Sequence, residues 1–315
     1  MGSPGLRVLV TGGAGYIGST LIRSLLEDSR IEHVVSLDTR GTGTVTPSAK
    51  LEVVVDDVRN DQSELIESHQ INVVVHLAFL LRPERNTTLA ESVNIDATRR
   101  LANACAGKVK KFVYLSSTSV YGARSAGPVE HSEDDMPGPV KGFQYSEHKV
   151  AAESVIQEAL GDNDQTEFAI VRACPVVSRE ADNFITENLQ MKFLPTPWRH
   201  DPEMQFIHAD DLVEFLLMSI TSSKVSGVFN VAGSETIRWK AMLNERGSMP
   251  IPIPSRLLAF LIRITWNLRL QSRSNQAGIE MIRYPWLASI KKAASELGWR
   301  PKYSSREAIK SWVDR

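Results

Sequence analysis

VTGGAGYIG fills residues 10–18, directly after the apolar run LRVL at 6–9. Three glycines recur three apart, Gly12, Gly15 and Gly18. The valines and leucines before them show no polar alternation, which suits a strand buried on both faces. After them STLIRSLLED places apolar residues at helical spacing. Each glycine between a buried strand and a helix has a physical use. Gly12 permits the sharp turn, Gly15 lets a diphosphate approach the backbone, and Gly18 lets the helix pack closely on the sheet. The first helical turn, with Tyr16 and Ile17, presents unpaired N–H groups and a positive dipole end to the phosphates.

Further strand-like and helix-like runs alternate down the chain. HVVSLD, LEVVVDDV, INVVVHLA, KKFVYLSS and EFAIVRA read as strands. Helical patterns stand between them, the longest at 89–106 and 145–160. Such alternation predicts an α/β chain with a doubly wound parallel Rossmann sheet. After Arg172 the rhythm breaks and prolines cluster. The expected division is therefore a nucleotide-binding domain over 1–172 and a smaller C-terminal substrate-binding cap over 173–205 and 233–315. SGVFNVAG, in a returning segment near 206–232, reads as one more strand of the sheet.

The second strand ends at Asp38, about twenty residues beyond the glycines, where a carboxylate can hold the ribose hydroxyls of an adenine dinucleotide. A 2′-phosphate would be repelled there, so the expected cofactor is NAD rather than NADP. Arg40, two residues on, lies at the same end of the site and works the other way. Asp57 and Val58, after the third strand, suit an adenine edge or a plain acidic loop end.

Composition excludes several classes. A formal net charge of −1 offers no basic field for nucleic acid or an anionic surface. Two cysteines, Cys105 and Cys174, form neither a metal pattern nor a disulfide framework, so a reducing compartment and a cytoplasmic location are expected. No leader pattern opens the chain. The apolar stretch at 257–270 is broken by Arg263, Asn267 and Arg269. It is too short to span a bilayer, and an amphipathic helix packed on the protein is expected.

YSEHK sets Tyr145 and Lys149 four residues apart, on one helical face. An ammonium near a phenol favours the phenolate and lowers its pKa. Such a phenol can exchange the hydroxyl proton of a small-molecule substrate while hydride moves to or from a nicotinamide, although the same spacing on its own more often has no such role. The hydroxyls of YLSSTSVYG, at a strand end, are placed to meet a substrate oxygen.

The glycine run, HLAF at 76–79, LSSTSVYG and YSEHK together resemble the extended short-chain dehydrogenase/reductase family, the NAD-dependent epimerase/dehydratase group. The resemblance covers essentially the whole chain, through FIHADDLVEFL and ASELGWRP. It implies Tyr145 as catalytic acid or base, Lys149 as its partner and Ser117 as the polarising hydroxyl. It also implies Leu77, Ala78, Asn94 and Ser116 at the cofactor, with Cys174, Pro175 and Val176 beside the nicotinamide. Phe79, Thr118 and Asn183 fall to the substrate. The helices at 89–106 and 145–160 would pair with their copies in a homodimer built on a four-helix bundle. Glu147 and His148 are read as surface positions.

Two departures bear on the reaction. Dehydratases of the group carry acids where this chain has Thr118 and Ser119, so water elimination is not expected. Sugar-nucleotide epimerases carry an asparagine where Pro175 stands and a diphosphate-gripping arginine where Met204 stands. Arg179, Arg199 and Arg283 in the cap are candidates to replace that charge. The expected activity is a sugar-nucleotide epimerase-like reaction. The alternative is a dehydrogenase or reductase of a less polar alcohol or ketone, steroid-like or aromatic. A non-catalytic NAD-sensing regulator is the reading from another class, and the intact Ser117, Tyr145 and Lys149 speak against it.

Overall fold

The apolar runs become seven strands: β1 Leu6–Thr11, β2 Ile31–Asp38, β3 Leu51–Val55, β4 Val73–His76, β5 Lys111–Ser117, β6 Glu167–Ala173 and β7 Gly227–Val231. The structure is a computed structural model that describes residues 5–41, 43–85, 87–127, 129–162, 165–179 and 191–313. The strands stand in the order β7–β6–β5–β4–β1–β2–β3, and every pairing is parallel. The chain runs outward from β1 to β3, then restarts at β4 and runs the other way. A crevice therefore opens at the carboxyl ends of β1 and β4, where the winding reverses.

Ten helices flank the sheet and fill the cap: α1 Tyr16–Glu27, α2 Ser63–Ser68, α3 Thr87–Glu91, α4 Ala97–Cys105, α5 Gln144–Leu160, α6 Ala209–Thr221, α7 Trp239–Glu245, α8 Ser255–Asn267, α9 Lys291–Leu297 and α10 Ser305–Val313, counted among the described residues. Val8 and Val10 of β1 pack with Leu21 and Leu25 of α1 and Phe215 of α6. Leu9 points the other way, into a layer with Leu101 of α4 and Ile156 of α5. This is the two-residue alternation of a strand, with both faces covered. Each such side chain withdrawn from water contributes about 1.5–3 kcal/mol before chain entropy is counted.

Three placements differ from the simple sequence pattern. The helix expected over 89–106 is broken by a π turn at Ser92–Asp96 between α3 and α4. Residues 291–299, within the stretch assigned to the cap, pack on the sheet domain. Trp299 meets Phe215 edge-on at 5.1 Å, and the Lys292 ammonium donates to the Val228 carbonyl of β7. Finally, α8 does not bury its apolar face. Only Leu258 is fully buried, while Leu257, Phe260, Leu261, Ile264 and Leu268 are exposed. The cap core is built instead from Met204, Phe206, Trp239, Met242, Trp286 and Trp312.

A buried ion pair fastens α5 to the sheet. Arg172 of β6 donates to Glu153 of α5 from Nη2 at 2.7 Å and from Nε at 3.1 Å. Both side chains are buried. Ser116 also donates to Glu153. The other guanidinium arm donates to the Tyr121 hydroxyl at 2.9 Å, which donates in turn to Asn230 of β7 at 2.8 Å. Burial works against the Arg172 charge, but Glu153 and Tyr121 outweigh it and hold its pKa above the ordinary value. Removing one member of such a pair strands the other charge in low dielectric. Arg172→Met should therefore cost about 3–5 kcal/mol in urea unfolding, and the double change Glu153→Met with Arg172→Met should recover most of that loss.

Candidate active site

At Gly12 the backbone takes φ +73°, a conformation that side chains disfavour. A Cβ there would lie 2.8 Å from the Ala78 nitrogen and 2.9 Å from the Leu77 carbonyl carbon. The glycine turn thus presses directly on the end of β4, with the Leu77 and Ala78 backbone against it. At Gly18 an added Cβ would stand 2.3 Å from the Gly12 carbonyl oxygen, so the helix is seated on the turn itself.

A rung that the sequence did not advertise locks the two strand ends. His76 Nδ1 and the Thr11 hydroxyl are 2.7 Å apart, and His76 Nε2 lies 2.9 Å from the Thr98 hydroxyl. Burial pushes the imidazole down to about 3, so it serves as a neutral bridge. Its only signal in the sequence is a polar residue closing the buried run VVVH.

The turn fits a dinucleotide. Gly15, at the N-cap of α1, supplies no side-chain cap, and the first turn of α1 carries no acid. Its N–H groups therefore suit an anion. Asp38 faces the same turn: its Oδ2 accepts from the Ala14 amide at 3.2 Å and its Oδ1 from the Arg40 amide at 3.0 Å. Arg40 pairs with this carboxylate, 3.3 Å away through Nε, and is otherwise exposed. Tyr16 reaches from the first turn of α1 to the Ser178 hydroxyl, beyond β6. Asp57 is paired with Arg59 at 2.7 Å, which holds its pKa below the usual range, and Val58 packs into the α4–α5 layer. Ile17 packs against the α1–α6 layer.

Tyr145 opens α5 and lies between two aromatic rings, Phe79 at 5.6 Å and Phe143 at 6.1 Å. Burial raises its pKa, and the neighbouring Ser117 hydroxyl works the other way. Ser117 ends β5 and accepts from the Ser119 amide at 3.2 Å. The Thr118 and Ser119 hydroxyls are buried and have no hydrogen-bond partner among the described residues. Ser117 and Tyr145, far apart in sequence, are thus brought together.

Lys149 departs from the expectation. Its ammonium donates to the Leu115 carbonyl at 2.6 Å and to the Tyr114 hydroxyl at 3.2 Å. It lies 3.8 Å from the centre of the Phe79 ring. Burial lowers its pKa to about 7, with Glu153 opposing. Here it does not depress the Tyr145 pKa. A cation closed in by aromatic rings and a carbonyl waits behind the phenol instead of beside it.

Asn94 sits on the π turn, whose extra residue turns it inward. It accepts from the Leu80 amide at 2.7 Å and donates to the Leu80 carbonyl at 3.2 Å. Its amide also meets His148 Nδ1 at 3.2 Å. His148 is therefore buried and not a surface position. Ser116, expected toward the cofactor, has its hydroxyl committed to Glu153.

Beyond β6, Cys174 is buried and its thiol is pushed up to about 12 by burial, which favours packing over reactivity. The Pro175 carbonyl accepts from Ile207, and Val176 pairs with Ile207. Met204 belongs to the cap core and Arg283 is tied to Glu280 at 2.6 Å. Asn183 lies outside the described residues.

Residues 8–232 match the NAD dependent epimerase/dehydratase family. This chain belongs to that family. It is an NAD-dependent enzyme of the extended short-chain type. A UDP-glucose 4-epimerase of Halalkalibacterium halodurans is 32% identical, across 96% of this chain and 93% of that protein. The human dTDP-D-glucose 4,6-dehydratase is 24% identical, across 98% and 89%. The Bordetella bronchiseptica enzyme WbmG, solved in complex with NAD, shares the fold at TM-score 0.75 and 20% identity, across 99% of this chain and 94% of that one.

Two outcomes follow from this geometry. Asp38→Ala should weaken NAD binding about tenfold or more in a fluorescence titration and narrow the preference over NADP. The folded chain holds Lys149 neutral at lower pH than the unfolded chain does. Unfolding therefore takes up a proton between about pH 7 and the ordinary lysine value of 10.5, and this group makes stability rise across that window. Lys149→Met should flatten the rise, so its stability gain over the natural chain is largest below pH 7 and shrinks toward pH 10.

Proposed function

We propose that this enzyme epimerises a nucleoside-diphosphate sugar at a secondary alcohol carbon. The observation that carries the reading is the Ser117–Tyr145 pair at the end of β5, beside a glycine turn that suits NAD. Bound NAD would supply the reversible hydride transfer at the substrate carbon. Ser117 polarises the substrate oxygen while Tyr145 takes the hydroxyl proton and later gives it back. Transfer to the opposite face of the ketone inverts the carbon with no net redox change. Gly12, Gly15 and the first turn of α1 would hold the diphosphate of the cofactor, Asp38 its adenosine ribose, and Lys149 its nicotinamide ribose. In that role Lys149 leaves the Leu115 carbonyl and comes round to the phenol.

The kinship with a UDP-glucose 4-epimerase supports a UDP-sugar as the first substrate to try. Thr118 and Ser119 offer no carboxyl group, which speaks against dehydration. The homodimer expected from α4 and α5 would form on a polar face, where Arg99, Arg100, Asn103, Gln157 and Glu158 are exposed in the single chain.

One observation favours the second reading, a dehydrogenase or reductase of a less polar substrate. Leu81, Pro83 and Phe143 surround Tyr145 together with Ser274 and Asn275. Phe79 adds a ring on the Lys149 side.

Nuclear magnetic resonance of UDP-glucose and UDP-glucuronic acid incubated with the protein separates the two. Inversion at a ring carbon, with no NADH accumulating, is the expected result. NADH released with apolar secondary alcohols, and no inversion of any sugar, would assign the second reading. In either case Tyr145→Phe should lower kcat about 10²–10⁴-fold while NAD still binds.

A further inference from the structure

The amphipathic helix α8 carries its apolar stripe outward. Leu257, Phe260, Leu261, Ile264 and Leu268 recur at intervals of three and four residues and share one face. All are exposed, Phe260 at 58% and Leu268 at 64%. The face does not end with the helix. α8 packs against the strand Phe193–Pro197, which pairs with Met249–Ile253. From these neighbours Phe193, Trp198, Met249 and Ile251 are exposed as well. Apolar residues exposed together over such a surface mark a place where something binds.

The charge pattern says what binds. Between Glu245 and Glu280 the chain holds five arginines and no acid. Arg256, Arg263, Arg269 and Arg273 are exposed around α8. The acids that bound the stretch are already neutralised, Glu245 by Arg306 and Glu280 by Arg283. At the two ends of the adjoining strand Lys192 lies over the Phe193 ring and Arg199 over the Trp198 ring, each at 5.9 Å. The molecule as a whole has a net charge of −1, so this is a local basic field on a balanced protein.

A second copy of the chain fits this surface poorly, because a two-fold contact would bring the arginines of α8 toward their own images. An anionic lipid surface fits it well. Leucine and phenylalanine enter the acyl boundary, tryptophan sits at the headgroup level, and arginine meets the phosphates. The helix is thirteen residues long, and among the described residues no helix is long and apolar enough to cross a membrane. The contact is therefore one of lying on the bilayer.

We propose that the face formed by α8 and the strand Phe193–Pro197 docks this enzyme on an anionic phospholipid membrane. Docking sets the catalytic cleft close to the membrane plane. Ser274 and Asn275, a few residues beyond α8, are among the residues that surround Tyr145. Arg85 ties the end of the helix to the loop after β4, stacking on Trp266 at 4.4 Å and donating to the Gln271 carbonyl at 2.7 Å.

Co-sedimentation of the full chain with phosphatidylcholine vesicles, with and without phosphatidylglycerol, tests the proposal. Partition onto the phosphatidylglycerol vesicles is expected, weakened by salt and by pure phosphatidylcholine. Arg256→Gln with Arg263→Gln should lower that partition by about tenfold or more. Phe260→Ser with Ile264→Ser should abolish it, while both variants keep the far-ultraviolet circular dichroism and NAD affinity of the parent. No partition by the parent, or equal partition onto neutral vesicles, overturns the proposal. A concentration-dependent dimer in size-exclusion chromatography that Phe260→Ser dissociates also overturns it, and assigns the face to a second copy.

Discussion

Glu153 and Arg172 hold opposite charges together where neither meets water. α5, which delivers Tyr145 and Lys149, depends on that bond for its position against β6. Through Tyr121 and Asn230 the same guanidinium reaches β7, the strand that returns from the far end of the chain. The stacked rings of Tyr121 and His131, 4.7 Å apart, carry the connection to the strand at Glu130–His131. A pair of this kind adds little net stability over a packed apolar core, but it tolerates few alternative geometries. It fixes where the proton-transfer helix stands, and the apolar layers supply the stability.

The parts of the site built from local chemistry were legible in the sequence. Gly18 answers to the Gly12 carbonyl in the same turn and Gly12 to the positive φ of that turn, which follows a buried strand whose character shows in its side chains. Asp38 could be placed because a strand of regular rise ends there. The seven-strand sheet follows from the same alternation of apolar runs and helical patterns.

The rest depends on neighbours brought in from a distance. His148 looked like a surface position on α5 until the π turn carried Asn94 over it. Ser116 looked like a partner for the cofactor until Glu153, thirty-seven residues away, claimed its hydroxyl. Lys149 shares α5 with Tyr145, four residues on. Its rotamer is decided by Leu115 and Phe79, which belong to other elements. The stripe on α8 was visible as a period. Periodicity shows that a face is apolar and is silent on what that face meets.

The loop after β4 is gripped at both ends. Asn94 bonds both backbone groups of Leu80, and Arg85 holds the end of α8. Between those two anchors and β4 the Phe79 ring rests against both Lys149 and Tyr145. The ring that touches both members of the Tyr145–Lys149 pair is thus carried by a loop whose other contacts are an amide of the π turn and the end of the cap helix, so the surroundings of the pair are shared between the sheet domain and the cap.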